Sequence, residues 1–185
     1  MKLLHKQKTL LVIFSLSIFL VLLPLTFKVN FMQNDDWYYY DQVGQFKNFN
    51  FALHPDIAPT FYLQGIIGTI FSLFFSSDFL PVLTLAVSVA NFYLLTALIN
   101  KCFKLSKVTS ILISLLFILS PLYAYSMWGF MTENYFLFFV LLGIYFFYES
   151  ESKNKSLIKT NFIFLLSLFV RQLGFVFYIA SAMYF

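Results

Sequence analysis

Two carboxylates stand side by side at Asp35 and Asp36, inside the run Asn34-Asp35-Asp36-Trp37-Tyr38-Tyr39-Tyr40. Adjacent acids repel, so one of them is expected to hold its proton to higher pH and act as a base near neutrality while the other stays ionised. The same pair offers oxygen ligands to a divalent cation such as Mg or Mn, and the residue types alone do not separate base from ligand. The rings that follow suit a membrane interface, and they also suit the apolar face of a sugar. A solvated loop closing an apolar run would carry similar residues, so the chemical reading needs support from elsewhere in the chain.

Glu133 supplies a second acidic position, in Trp128-Gly129-Phe130-Met131-Thr132-Glu133-Asn134. Thr132 can cap a helix there, and an early acid complements the helix dipole; a cap and a functional acid are compatible readings. Arg171-Gln172 interrupts the apolar stretch 160–185 shortly after Thr160-Asn161. A charge deep in a span is expensive and turns to a cavity or a partner, and the forked donors of arginine match a phosphate. The alternative is two short elements with Arg171 at the turn between them. His54-Pro55-Asp56 adds a lone loop histidine with no second ligand to recommend it, and runs such as Phe136, Phe138 and Phe139 read as lipid-facing bulk.

What must position these groups follows from composition. The chain of 185 residues is 61% hydrophobic and 11% charged, with 27 Phe and 12 Tyr. A soluble domain carries about 25% charged residues, so this is read as an integral membrane protein. Thr9 to Phe27 is uncharged and long enough to cross a bilayer, which takes roughly 20 residues. It is longer than the apolar core of a signal peptide and no small-residue cleavage site follows, so it is expected to be retained. The net charge of +4 is modest, and the lysines flank apolar runs without forming a basic face, which excludes a nucleic-acid partner. The single Cys102 can form no internal disulfide.

Further apolar stretches run from Pro59 to Phe75, Phe79 to Ile99, Val108 to Trp128, Tyr135 to Tyr148 and Thr160 to Phe185. If all crossed, Lys101, Lys104 and Lys107 would fall outside, as would Lys153, Lys155 and Lys159, against the positive-inside rule. Pro59 to Phe75 is broken by Gln64, Gly65 and Gly68, and is better placed as a juxtamembrane helix in one external loop, 28–78. Nine of the twelve basic residues then lie on the cytoplasmic side. Asp35, Asp36, Asp41, Asp56, Asp78 and Glu133 all come out external, so the two acidic positions can share a site. The expected spans are 9–27, 79–100, 108–128 and 135–149, then a last apolar segment broken at Arg171. Runs that are apolar on every face exclude a barrel. The fold class is therefore all-α, a polytopic transmembrane bundle forming a single domain over residues 1–185, with no internal repeat.

Taken in order, Asn34-Asp35-Asp36-Trp37, Ala58-Pro59-Thr60 with Gln64, Phe130-Met131-Thr132-Glu133 and Val170-Arg171-Gln172-Leu173-Gly174 resemble the first half of a bacterial membrane glycosyltransferase of the GT-C superfamily. The resemblance is to the family 39 group related to protein mannosyltransferases and lipid A aminoarabinose transferase, and it covers about residues 30–175. It implies a GT-C-like bundle in the cytoplasmic (inner) membrane, with the N-terminus cytoplasmic and a cavity open to the exterior. It implies a polyprenyl-phosphate sugar donor and inversion at the anomeric carbon. By position Asp35 or Asp36 matches the catalytic acid and Glu133 the second acidic position, although relatives often have Asp there with a nearby proline that Asn134-Tyr135-Phe136 lacks. Arg171, with Gln172, matches the carrier-phosphate position. Since the family continues through more spans, residues 1–185 are expected to be the N-terminal part of a larger module, which need not be active alone.

The expected function is transfer of a sugar from that donor to an envelope lipid, glycan or protein. The alternative is a non-enzymatic, flippase- or polymerase-like component of polysaccharide export, which would need charges lining a route through the bilayer. The external acids instead concentrate in one loop.

Overall fold

The computed structural model describes residues 2–28, 35–149 and 154–183. Asn34 of the first motif, Lys153 of the third lysine cluster and Phe185 lie outside the described residues. Among those described there is no strand. The helices are α1 (Lys2–Thr26), α2 (Asp36–Lys47), α3 (Tyr62–Phe74), α4 (Leu80–Phe103), α5 (Lys107–Ile118), α6 (Pro121–Met127), α7 (Thr132–Glu149), α8 (Asn154–Leu168) and α9 (Gly174–Ala182), with a 3-10 turn at Ser77–Phe79.

Two of the helices, α3 and α5, are sorted inside out relative to those of a water-soluble bundle. In α3 the buried positions are Gln64, Gly65, Gly68 and Ser72, while Ile66, Ile70, Leu73 and Phe74 are exposed, Phe74 at 77%. In α5 Ser110 and Ser114 face inward, and Leu112, Leu116 and Phe117 face out. Small and polar residues at helix contacts with apolar residues outside is what lipid selects, because tails satisfy apolar groups as well as a core does. In water such a surface would be one large exposed patch.

By length and composition two helical stretches can cross a membrane, Thr9–Thr26 within α1 and Ser77–Phe103 including α4. The expected first two spans fall on these. The expected span 108–128 is not one rod: α5 and α6 are bent by 72° at a short break. Pro121 is the cause, since it lacks the N–H that would continue α5 and its fixed φ suits the first turn of a new helix. Counted together, α5 and α6 bring the candidates to three. The expected span at 135–149 belongs to α7, whose 18 residues reach only about 27 Å. The last segment also departs from expectation. It is a hairpin, α8 packed against α9, with Asn161 near one end bonded to Ser181 near the other. Arg171 sits in its turn, so it is not a charge deep in a span, and the reading as two short elements is the one the fold adopts.

Ring contacts fix the helix directions. Phe27 meets Phe79 and Phe14 meets Phe92, so α1 runs antiparallel to α4. The Thr84 hydroxyl meets that of Tyr135, and Lys101 Nζ donates to the Tyr148 carbonyl, so α4 and α7 run parallel. Lys101, Lys104 and Lys107 therefore gather at one end of the bundle, and Asp35, Asp36, Asp78 and Glu133 at the other.

The segment 35–79 folds as a cap on the acidic end. Its α2 and α3 pack together, Gln42 clamps the intervening loop by donating to the Ala52 carbonyl and accepting the His54 N–H, and Tyr40 donates to Asp78. The core beneath is Tyr39, Val43, Ile57, Phe61, Leu80, Phe130, Tyr135, Phe139 and Val170, drawn from the cap, from α4 and α7, from the turn before α7 and from the hairpin turn.

Candidate functional site

Successive residues of a helix point about 100° apart, and that separation divides the acid pair. The inward face of α2 carries Asp36, Tyr39, Val43 and Phe46; Asp35, Trp37 and Tyr38 face outward. Asp35 closes the helix start with its backbone, its carbonyl accepting from the Tyr38 and Tyr39 N–H groups (3.1 and 3.3 Å). Its carboxylate is exposed.

Asp36 is 2% exposed, and its Oδ1 accepts the Phe130 N–H at 2.9 Å. The approach requires Gly129, since a Cβ there would stand 2.2 Å from Asp36 Oδ2. On the other side of Phe130, its carbonyl accepts from Gln64 Nε2 at 2.8 Å. Two side chains of the cap thus grip one residue of the bundle, and the Phe130 ring is fully buried edge-on to Phe61 and Tyr135. A charge-assisted bond to a buried amide is among the stronger ones available, so Asp36 works as a structural latch.

The latch sets the register of the residues that follow it. Asn134 is held on three sides: its Nδ2 donates to the Ser126 carbonyl (2.8 Å), its Oδ1 accepts from Ser88 (3.1 Å), and its carbonyl accepts from Asn91 (2.9 Å). Glu133, one residue earlier, is left facing the hairpin turn. There Arg171 Nη1 meets Glu133 Oε1 at 2.7 Å, with the two side chains 38% and 42% exposed. The turn is pinned separately, by the Leu63 N–H donating to the Phe169 carbonyl (3.0 Å) and by the fully buried Val170. Gln172 follows Arg171 in the turn and is exposed.

Tyr39 joins the two acidic positions. Its ring stacks on Phe61 at 4.7 Å, and the Thr132 side chain acts on its hydroxyl. Burial pushes the phenol above its ordinary value near 10, and the charges of Asp35 and Glu133 push the same way; the Thr132 side chain and Arg171 oppose them. His54 lies at the rim beside the Tyr38 ring (4.8 Å), with Nδ1 3.4 Å from Asp56 Oδ2.

Of the residues singled out by type and spacing, Asp35, Asp36, Glu133 and Arg171 come to the same end of the bundle. Asp36 is committed to the backbone, which leaves Asp35 as the outward carboxylate of the pair. Among the described residues no group of three or more His, Cys, Asp or Glu side chains is arranged to hold a metal ion. Sequence reasoning missed Tyr39 as the link, having seen it only as one ring of an aromatic cluster. The available signal was helical spacing, which stacks Asp36 and Tyr39 on one face at i and i+3. It also missed Asn134, whose partners are side chains and carbonyls brought in by tertiary contact.

Comparison with protein-family models, with curated proteins and with solved structures finds no match to this chain.

Proposed function

We propose that the chain belongs to a membrane glycosyltransferase that uses a polyprenyl-phosphate-linked sugar, with its site on the external face of the cytoplasmic membrane. The observation that carries the reading is the convergence of sequence-distant residues at one end of an apolar bundle. Asp36 and Gln64 meet at Phe130, and Arg171 meets Glu133. An outward carboxylate and a guanidinium are thereby offered in one region, which is what displacement of a phosphate from a sugar needs.

Asp35 takes the proton of an acceptor hydroxyl as its oxygen bonds to the anomeric carbon. The bond from that carbon to the phosphate oxygen breaks with inversion, and the electron pair leaves on the phosphate. Arg171 offsets the charge on the departing group. Asp36 is a positioning residue that keeps the 129–133 segment in place. The separation of lysines from acids supports an orientation with the lysine end cytoplasmic, and the outward apolar stripe of α3 supports a juxtamembrane position.

The test is transfer from undecaprenyl-phosphate mannose and undecaprenyl-phosphate arabinose, followed into the lipid and protein fractions of membranes holding the chain. Asp35→Asn is expected to lower transfer by about 100-fold or more, the usual range for loss of a general base, at unchanged protein level. Transfer by the parent that is equal in the variant would remove the reading.

A further inference from the structure

The Glu133–Arg171 pair is built unevenly. Arg171 can engage two oxygens of one anion in parallel, yet only Nη1 to Oε1 is in contact, at 2.7 Å. Glu133 Oε2 is enclosed and has no hydrogen-bond partner among the described residues. An enclosed carboxylate oxygen without a donor is a cost that displacement would relieve. The backbone that bears the guanidinium, by contrast, does not depend on Glu133, because the turn is held by the Leu63–Phe169 backbone bond and by buried Val170. Both side chains remain more than a third exposed, so an anion from outside reaches them. A pair this exposed is worth little in water.

We infer that Arg171 is an anion site in which Glu133 is a built-in competitor: a phosphate group takes the guanidinium and displaces the Glu133 carboxylate. The shared chemistry is a tetrahedral oxyanion with two oxygens for the fork. That the phosphate is borne on a prenyl lipid rests on the function proposed above; the competition itself does not.

The experiment uses the full chain in detergent, with calorimetric binding of farnesyl phosphate and of inorganic phosphate to the parent, Glu133→Gln and Arg171→Ala. Removing the competitor is expected to tighten phosphate binding about threefold or more, in line with the small worth of an exposed pair. Removing the fork is expected to weaken it at least about tenfold. Glu133→Ala and Arg171→Lys serve where a variant does not fold, as judged by its melting curve. The alanine variant should tighten binding similarly, and the lysine should weaken it because the fork is lost.

Binding of farnesyl phosphate that is lost in Arg171→Ala yet no tighter in Glu133→Gln overturns the competition and leaves the proposed function standing. A gain with inorganic phosphate, with no binding of farnesyl phosphate, keeps the competition and removes the lipid-linked donor. Binding that ignores Arg171, or is absent in every protein, overturns the inference.

Discussion

The two ends of the bundle are held in different ways. At the acidic end, Asp36 reaches across 94 residues to the Phe130 amide and Gln64 across 66 to its carbonyl, both bonds buried. At the lysine end the contacts are exposed and two of the three are local: Ser106 caps α5 by accepting the Thr109 N–H, Asn100 donates to the Leu105 carbonyl, and Lys101 reaches across 47 residues to Tyr148 at the surface. One end ties the chain's ends and middle together. The other is joined by exposed bonds alone. Buried polar bonds made between distant segments fix geometry because their loss strands a desolvated group, whereas exposed ones are exchanged for water at little cost.

That contrast is broken most directly at Asp36. Asp36→Ala removes the acceptor of a buried N–H and is expected to lower stability by about 3 kcal/mol, read as a shift in the unfolding midpoint in detergent. Gly129→Ala attacks the same latch from the other side by driving a methyl into the carboxylate, and about 2 kcal/mol is expected. A shift under about 0.5 kcal/mol in both would mean that the cap is not latched there. At the lysine end, Ser106→Ala removes a helix cap worth about 1 kcal/mol, and Lys101→Ala is expected to stay within about 0.5 kcal/mol. A larger loss from Lys101→Ala than from Asp36→Ala would invert the comparison.

The smallest effect is confined to alkaline pH. The phenol of Tyr39 is raised in the folded protein above its ordinary value near 10, by burial first and then by Asp35 and Glu133. The neutral form is the one the fold favours, so its contribution is complete below pH 10 and is lost as pH rises through the folded value. Parent and Tyr39→Phe should therefore keep a constant stability difference below pH 10. Above it the parent should lose ground, and parallel melting curves from pH 8 to 11.5 would show the phenol to be in an ordinary environment.

Much of the architecture was legible in the residues. Thr9 to Phe27 and Phe79 to Ile99 read as long apolar helices, and the helical stretches Thr9–Thr26 and Ser77–Phe103 cover them, since a run without charges has one stable arrangement in lipid, with every backbone bond internal. Gln64, Gly65 and Gly68 marked α3 as different from a span, and it is a short helix with those residues inward. Pro121 marks the break between α5 and α6 in the residues as well, although the apolar content of 108–128 favours a single span.

Sequence by itself determined which segments are apolar, that most acids and most lysines fall in alternate connections, and that polar groups able to do chemistry stand around 35, 133 and 171. These are properties of composition and period, set by near neighbours along the chain. Only tertiary structure decided that Asp36 is buried while Asp35 is not, that Arg171 lies in a hairpin turn against Glu133, and that Tyr39 stands between the two acidic positions. Each of those outcomes depends on which helix face meets which neighbour, and adjacent residues about 100° apart on a helix receive opposite fates from that one choice.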